Sequence, residues 1–248
     1  MKIAVLADIH GVLPALDAVL TDPAIRTADR IIALGDIAAG PQPNEVMHRL
    51  LALGDRVEWL IGNADRELIE YRRGRRTEMP DAIAEFAAQT ITDQNIAVLE
   101  TLPLTLHLTI EGLGPTLFCH ATPRADDDII LVDSPYPRWD EVFTAIAPEI
   151  ETIVCGHTHM PFARLVRGRM VINPGSIGMT YGRSGPHWAM LGPGVTFLRS
   201  SMDLNEACRQ ICGTSAFPDI VRWVDDVIRS TESDKTVLTL FSDIALTQ

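Results

Sequence analysis

The 248-residue sequence has few lysines, few cysteines and few aromatic residues. Lys2 and Lys235 are the only lysines among 21 basic residues, and 33 acidic residues give a formal net charge of −12. Such a chain repels phosphate-rich polymers and anionic membrane surfaces at long range, which argues against a general nucleic-acid or membrane-surface binder. A small anionic substrate therefore requires a local positive feature.

The sequence also lacks paired cysteines and long apolar runs. Its four cysteines show neither CxxC spacing nor the density of a disulfide framework. Asp8 interrupts the apolar N-terminal stretch after too few residues for a signal peptide, and no later run is long enough for a membrane span. The sequence therefore predicts a cytoplasmic protein with reduced thiols and no membrane partner.

Short apolar runs alternate with amphipathic, helix-length stretches in the first part of the chain. The predicted strands and the helices that follow them are, in chain order, 2–7, 12–20, 30–34, 43–53, 57–61 and 64–73. Such a βαβαβα order indicates a parallel sheet with helical crossovers.

The rest of the chain is richer in strands. The predicted helices are 81–89, 92–100 and 138–147, and the predicted strands are 104–110, 116–119, 150–154, 162–166, 169–172, 187–191 and 195–199. With no linker or repeat between the two parts, we expect one domain to about residue 200, built from two packed sheets with helices outside.

Residues 201–248 predict a helical extension. Apolar residues recur at helical spacing from Leu204 to Ile211 and again after Pro218, whereas 235–245 is compatible with helix or strand. The extension is expected to pack on the domain or to form a contact in a homodimer, and the sequence leaves both open.

Potential metal ligands follow five of the predicted strands. They are Asp8, His10, Asp36, Asn63, His120, His157 and His159. Each is an ordinary turn or core residue when taken alone. Because the carboxyl ends of strands form the ligand crevice of open α/β sheets, we expect these side chains to meet at one edge.

The types of side chain in this set favour divalent metal. Imidazole, carboxylate and amide ligands without thiolate suit Mn, Fe, Zn or Ni rather than a cysteine-rich structural zinc site. Seven ligands exceed the needs of one tetrahedral ion and fit two ions that share a carboxylate. With Asp8 and Asp36, two such ions leave a charge of about +2, the local positive feature that an anionic substrate requires.

The segment GHTH at 156–159 contributes two of the histidines. Gly156 is expected to allow a sharp turn at the strand end. His157 and His159, two residues apart in an extended segment, are then expected to point the same way, with one serving each ion.

These segments, in this order, resemble the signature of the calcineurin-like metallophosphoesterase superfamily, DxH…GD…GN…H…GHTH, over roughly residues 1–200. HATPR at 120–124 and NPGS at 173–176 look like its compact bacterial and archaeal phosphodiesterase branch. The resemblance implies an α/β (α+β) fold, a four-layer αββα sandwich of two mixed sheets flanked by helices. It also implies a dimetal phosphoesterase, and specifically a phosphodiesterase, that acts by in-line attack of a metal-activated hydroxide.

The resemblance also assigns roles to individual residues. One metal ion would take Asp8, His10 and His159, and the other would take Asn63, His120 and His157. Asp36 would bridge the two ions, and His10, Asp36 and Asn63 are the expected catalytic residues, with His10 near the leaving group. Arg124 could hold a substrate phosphate through its guanidinium fork, and a solvated loop arginine is an equal alternative.

One position departs from the pattern of many phosphatases in this superfamily. They have a histidine after the GN asparagine, where this chain has Ala64. A methyl group transfers no proton, and the loss of general acid catalysis typically costs about 10²–10⁴-fold in rate. We therefore expect small substrates with good leaving groups, such as aryl or nucleotide phosphodiesters.

Further residues near the signature are expected to support the site, to line it or to pack in the core. Asp65 is expected to cap the helix that follows it or to orient a histidine of the site. Asn173 and Ser176 are expected to form a turn beside the site. Tyr181 and Trp188 are compatible with the mouth of a cleft or with core packing.

Two other functions remain open from the sequence. A non-catalytic metal-binding interaction module on the same fold, as in the retromer subunit that resembles this branch, would be favoured by ligand loss, and no ligand position is lost. A metal-dependent nuclease would use the same chemistry, but the acidic chain has no evident basic track for a nucleic-acid backbone.

Overall fold

The strands and helices follow the predicted order. In a computed structural model, which describes residues 1–245, the strands are β1 (Ile3–Leu6), β2 (Arg30–Ala33), β3 (Val57–Trp59), β4 (Thr105–Ile110), β5 (Gly114–Cys119), β6 (Thr152–Val154), β7 (Phe162–Val166), β8 (Arg169–Asn173), β9 (His187–Leu191) and β10 (Val195–Arg199). The helices are α1 (Leu13–Thr21), α2 (Pro43–Leu51), α3 (Asn63–Arg72), α4 (Ala82–Thr90), α5 (Asp93–Leu99), α6 (Tyr136–Phe143), α7 (Leu204–Thr214), α8 (Ile220–Trp223) and α9 (Asp234–Ala245). A π-helical turn, Val224–Arg229, continues α8.

Local sequence explains where several helices begin and end. Pro14 and Pro43 stand in the first turns of α1 and α2, where a missing N–H breaks no helical hydrogen bond. The Asp81 side chain caps α4 by accepting from the N–H of Ala84. After α3 the chain turns at Gly74, whose φ of +69° lies in the left-handed region.

Helix α6 differs from its predicted range of 138–147. It begins at Tyr136, with Pro137 in its first turn, and ends at Phe143. Proline suits a helix start, and Pro148 disfavours helical backbone at the residue before it, so the helical stretch is shifted toward the N-terminus.

Two mixed five-stranded sheets form the centre of the molecule. Their strand orders are β10-β9-β1-β2-β3 and β4-β5-β6-β8-β7. In the first sheet β1, β2 and β3 are parallel, and in the second β5, β6 and β8 are parallel. The predicted sandwich of two mixed sheets flanked by helices is therefore confirmed, and the parallel strands of both sheets end on the same side as the predicted ligands.

The alternation of side chains along β1 shows how the layers separate. Ile3 and Val5 face the second sheet, in an apolar layer with Phe118, whereas Ala4 and Leu6 face the helices on the other side. Full burial of one such aliphatic side chain contributes roughly 1.5–3 kcal/mol. The layer between the sheets therefore holds them in fixed register beneath the strand ends.

The C-terminal helices pack on the same core as α1. Ile211 of α7 and Ile220 of α8 are buried among the residues on the helical face of the first sheet. The segment left open between helix and strand is helix α9 as far as Ala245, and residues 246–248 lie outside the described residues. The domain limit near residue 200 and the homodimer stay predictions. None of the helices within residues 1–245 has both the length and the apolar character to cross a membrane.

The layer between the sheets can be tested with a pair of phenylalanine variants. Phe118 is fully buried in it, and Phe197 on β10 is 42% exposed. We expect Phe118→Ala to lower the free energy of unfolding by about 3–5 kcal/mol, because it leaves a cavity between rigid sheets. Phe197→Ala is expected to change it by no more than about 0.5 kcal/mol. Urea denaturation measures both, and equal effects would place the main core elsewhere.

Candidate metal centre

The seven predicted ligands meet where the parallel strands end. Asp8, His10 and His159 form one cluster, and Asp36, His120 and His157 form a second, with the candidate ligand atoms of each cluster within 4.8 Å of one another. Asn63 joins the second cluster, since its Oδ1 lies 3.1 Å from His120 Nε2. This division is the one that the family resemblance implied.

Asp36 lies between the two clusters. Its Oδ2 is 3.6 Å from His10 Nε2 in the first cluster and 3.3 Å from His120 Nε2 in the second. Its Oδ1 accepts a hydrogen bond of 2.8 Å from the backbone N–H of Ala64. One oxygen is thus fixed by the start of α3 and the other faces both clusters, which is the position required of a bridging carboxylate.

The backbone is left-handed at five of the seven ligands. Asp8, His10, Asp36, His157 and His159 have φ values of +55°, +48°, +51°, +66° and +59°. Within residues 1–245, the only other non-glycine residue with positive φ is in the β7–β8 turn. Such conformations typically cost about 1–3 kcal/mol each and persist where surrounding contacts impose them.

This geometry corrects the prediction for the GHTH segment. His157 and His159 have left-handed rather than extended backbone, so the alternation of side chains along a strand does not determine where they point. Each side chain enters a different cluster. Gly156 does not have positive φ. It is needed for close approach, because a Cβ there would lie 2.9 Å from both Ala7 Cβ and Asp8 Oδ2.

The orientation of the rings fits metal ligation. His120 Nδ1 lies 2.6 Å from the carbonyl oxygen of Leu34, and His10 Nδ1 lies 3.3 Å from that of Ala39. A neutral ring that donates its Nδ1–H to a carbonyl presents a bare Nε2 on its other side, which is the usual arrangement of metal-bound histidine. In the first cluster His10 Nε2 faces His159 Nε2 at 3.1 Å. When both Nε2 atoms are unprotonated they can share a cation, so the residues fit divalent ions.

The electrostatics of the second cluster are consistent with this fit. Burial alone would raise the pKa of Asp36, but His120 and His10 hold it well below its usual value. Burial alone would lower the pKa of His120, but Asp36 and Asp8 raise it to about 10. Burial lowers the pKa of His157 to about 4. The carboxylates thus attract positive charge to this position, and a divalent ion would compete there with the proton on His120.

Asp8 is held in the first cluster by main-chain groups. Both of its carboxylate oxygens lie 3.1 Å from the backbone N–H of His157. Burial and the neighbouring Asp36 carboxylate raise the pKa of Asp8 well above its usual value, although His120 lowers it. A nearby cation would favour the ionised form of this carboxyl.

Asp65 supports the site from behind. Its carboxylate accepts hydrogen bonds from the backbone N–H groups of Ile37 (2.9 Å), Ala38 (3.1 Å) and Gly62 (3.3 Å). It therefore caps α3 from within the first turn by accepting from the N–H of Gly62, and it also ties down the loop that follows Asp36. Burial and Asp36 raise the pKa of Asp65 to about 7.

Asn173 and Ser176 form the turn expected beside the site. Asn173 Nδ2 donates to the Gly156 carbonyl at 2.7 Å, and Ser176 Oγ donates to the Asp8 carbonyl at 2.8 Å. The two side chains therefore hold the segments that carry the ligands.

Arg124 does not reach the clusters. Its guanidinium pairs with both oxygens of Asp128, at 2.6 and 2.9 Å, and with Glu141 at 2.9 Å. It is also not among the residues that line the cavity above the clusters. The geometry thus does not support the predicted phosphate contact, because local carboxylates occupy the whole guanidinium fork.

A cavity of about 550 Å³ lies above the two clusters. Its floor includes five of the predicted ligands, and the C-terminal extension contributes Phe217, Arg222, Trp223, Asp226, Val227 and Phe241 to its wall. Sequence reasoning missed these residues. Their helical pattern indicated packing, but no local motif could relate them to strand ends more than 50 residues away along the chain.

His159 is positioned by ring stacking on Tyr181 rather than by a hydrogen bond at its Nδ1. Nδ1 of His159 is buried, and in the described part of the chain it has no hydrogen-bond partner. The ring of Tyr181 stacks on that of His159, with centroids 5.4 Å apart and planes inclined by 18°, and Phe241 packs against Tyr181. Tyr181 thus contacts a ligand ring without lining the cavity, whereas Trp188 is fully buried in the core.

Two clusters of imidazole and carboxylate ligands at the strand ends of a two-sheet sandwich define a metal-binding hydrolytic centre. Residues 1–192 match the model of the calcineurin-like phosphoesterase superfamily domain. The chain therefore belongs to this family and is a metal-dependent phosphoesterase, as the signature predicted.

Individual proteins are also similar to this chain. The chain is 30% identical over 182 residues to an uncharacterised protein of Methanocaldococcus jannaschii, which covers 71% of this chain and 69% of that protein. A metallophosphoesterase structure from Sphaerobacter thermophilus is 26% identical and has a TM-score of 0.68, covering 90% of this chain and 98% of that one. A hypothetical protein from Pyrococcus horikoshii OT3, at 21% identity, shares the fold with a TM-score of 0.75 over 93% of this chain and 99% of that one.

The stacking on His159 predicts an effect on metal affinity. We expect the wild-type protein to bind two divalent ions per chain, and Tyr181→Leu to weaken the binding of one of them about tenfold, since His159 loses the ring that orients it. Tyr181→Phe retains the ring and is expected to bind metal like the wild type. Calorimetric titration with Mn²⁺ measures both variants, and wild-type affinity in Tyr181→Leu would contradict the positioning role.

Proposed function

We propose that the protein is a phosphodiesterase that acts on small phosphodiesters with good leaving groups. The observation that carries this proposal is Ala64, which lines the cavity beside Asn63 and presents only a methyl group. A phosphoesterase without a proton donor at this position depends on a leaving group that departs as a stable anion.

His10, Glu67 and Asp81, which line the same cavity as Ala64, are held by other contacts. His10 presents Nδ1 to the Ala39 carbonyl and Nε2 to the first cluster, so a neutral ring has no N–H directed at substrate. Of the nearby carboxyl groups, Glu67 is paired with Arg76 at 3.3 Å and Asp81 caps α4. These contacts support the preference for a leaving group of low pKa.

The ligand residues have distinct tasks in this proposal. Divalent ions bound to the two clusters would lower the pKa of a water molecule and offset the negative charge that develops on the phosphoryl oxygens. Asp36 holds the two clusters in fixed relation, and Asn63 places its amide oxygen at the second cluster. His10 orients the first cluster through its bond to Ala39. The whole arrangement is held before substrate binds, which lowers the cost of reaching the transition state.

The size and lining of the cavity support a small substrate. About 550 Å³ accommodates a phosphate with one or two small substituents, and much of the wall is apolar. The acidic chain contributes one arginine, Arg222, to this cavity among the described residues. A large polyanionic substrate therefore has little to bind beyond the metal clusters.

The proposal predicts metal-dependent hydrolysis of an activated diester. After removal of metal with a chelator, Mn, Fe, Ni, Zn or Mg is added and the hydrolysis of bis-p-nitrophenyl phosphate and p-nitrophenyl phosphate is followed. We expect the diester to be the better substrate and Asp36→Asn to reduce turnover at least about 10²-fold, because the bridging carboxylate is lost. Faster hydrolysis of the monoester would contradict a diesterase, and metal binding without hydrolysis of either ester would favour an interaction module.

Restoring a proton donor at Ala64 should change the dependence on the leaving group. In the wild type, rates on aryl methyl phosphates are expected to fall steeply as the pKa of the phenol rises. Ala64→His is expected to raise the ratio of the rate on phenyl methyl phosphate to the rate on p-nitrophenyl methyl phosphate by at least about tenfold, because the imidazolium can protonate the leaving oxygen. Ala64→Gln, similar in size but unable to act as an acid, is the matched control. An equal gain in both variants would show an effect of size rather than of proton transfer.

A further inference from the structure

The wall of the cavity contributed by the C-terminal extension is not used by the metal centre. It lies outside residues 1–192, which match the family domain, so it belongs to the part of the chain that the family assignment does not explain. Its cavity-lining aromatic residues come from three segments: Phe217 precedes α8, Trp223 ends α8 and Phe241 lies on α9.

The aromatic wall is anchored to the rest of the protein. Ile220, Val224 and Ile228, spaced by four residues, are 7%, 2% and 6% exposed and turn one face of this helical segment into the core. Trp223 and Val227 precede two of them and line the cavity from the adjacent face. Burial of Ile220, Val224 and Ile228 therefore holds the neighbouring Trp223 and Val227 in place at the cavity.

Contacts between aromatic rings fix the other parts of the wall. Phe217 packs against Phe86 of α4 with centroids 5.5 Å apart, and Phe241 packs against Tyr181 at 6.5 Å. Since Tyr181 stacks on His159, aromatic contacts connect Phe241 to the first metal cluster. Ligand residues of both clusters and the three aromatic residues of the wall line the same cavity, so a substituent on a phosphate bound there would meet preformed aromatic surfaces.

The charges on the wall are mostly negative. Asp219 and Asp226 line the cavity from the extension, and Asp81 lines it from the opposite side. Arg222 is the basic residue of this group, and its Nε lies 3.4 Å from Asp226 Oδ2. A substituent with a second negative charge would therefore be repelled, whereas an uncharged ring would avoid this repulsion and could pack on the aromatic side chains.

We propose that the C-terminal extension is a specificity-determining subsite for one flat, uncharged ring attached to the phosphate, with Trp223 as its main contact. This inference rests on the proposed phosphodiesterase function and names the substrate class that the same site selects. Stacking on a preformed aromatic surface favours aryl and nucleobase-like rings without hydrogen-bond readout, so the subsite selects ring shape and charge.

Binding of uncleavable phosphodiester mimics tests the subsite without turnover. Dimethylphosphinate and methyl(phenyl)phosphinate are both monoanions with two P–C bonds, and they differ by one ring. In the metal-loaded wild type we expect calorimetry to give a Kd about tenfold lower for the phenyl compound. Methyl(4-carboxyphenyl)phosphinate, whose ring carries a second negative charge, is expected to bind more weakly than methyl(phenyl)phosphinate, and tighter binding would overturn the charge preference.

Variants of the same helix separate stacking from general packing. Trp223→Leu keeps apolar bulk and is expected to remove most of the preference for the phenyl compound, while Trp223→Phe keeps a ring and retains it. Val221, which is 63% exposed and does not line the cavity, provides the control Val221→Ala, which is expected to retain the full preference. Thermal unfolding of each variant verifies that it is folded.

The outcomes distinguish this inference from the proposed function. Equal binding of both phosphinates by the wild type, or an unchanged preference in Trp223→Leu, would overturn the subsite and leave the phosphodiesterase intact. If neither phosphinate binds the metal-loaded wild type, the phosphodiester site itself is wrong and the subsite fails with it.

Discussion

Burial of two carboxylates beneath four imidazole rings is the constraint on which the rest of this structure depends. Asp8 and Asp36 are 0% and 3% exposed, and the groups around them are ring nitrogens, an amide oxygen and main-chain N–H groups rather than lysine or arginine. Buried charge of this kind is costly unless it is compensated. Backbone donors compensate part of it, the positive charge that Asp36 and Asp8 attract to His120 compensates more, and divalent ions bound by the imidazole rings would take over that task.

The two-sheet sandwich makes this arrangement possible. The parallel strands of both sheets end on one side, and five of the seven ligands, in the segments after β1, β2 and β6, have left-handed backbone. Strain in those loops is tolerated because the apolar layer between the sheets fixes the strand ends below them. Gly156 and Gly62 allow main chain to approach the two carboxylates more closely than a Cβ would permit. The geometry of the site therefore depends on the packing of the apolar layer between the sheets.

The site has a floor and a wall of different origin. The floor is built from the strand ends within the family domain and carries the chemistry of phosphate ester hydrolysis. The wall comes from the helices after residue 200, which bury one face in the core and present aromatic and acidic side chains to the cavity. In an acidic protein, divalent ions bound at the two clusters would supply the local positive charge that attracts a phosphate.

Strand and helix positions could be predicted from the sequence, because buried strands are short apolar runs that alternate with amphipathic helices. The candidate ligands could be predicted as well, because they directly follow those strands in a recognisable order. The direction of Arg124 could not, since it depends on Asp128 and Glu141 in a loop that has no periodic pattern. The left-handed backbone of the GHTH segment also depends on contacts between sheets, through the bond from His157 to Asp8. Local sequence therefore specified which side chains belong to the floor. Long-range packing alone decided how the ligand side chains are oriented and brought Trp223 to the same cavity, because the contacts responsible join residues that are far apart along the chain.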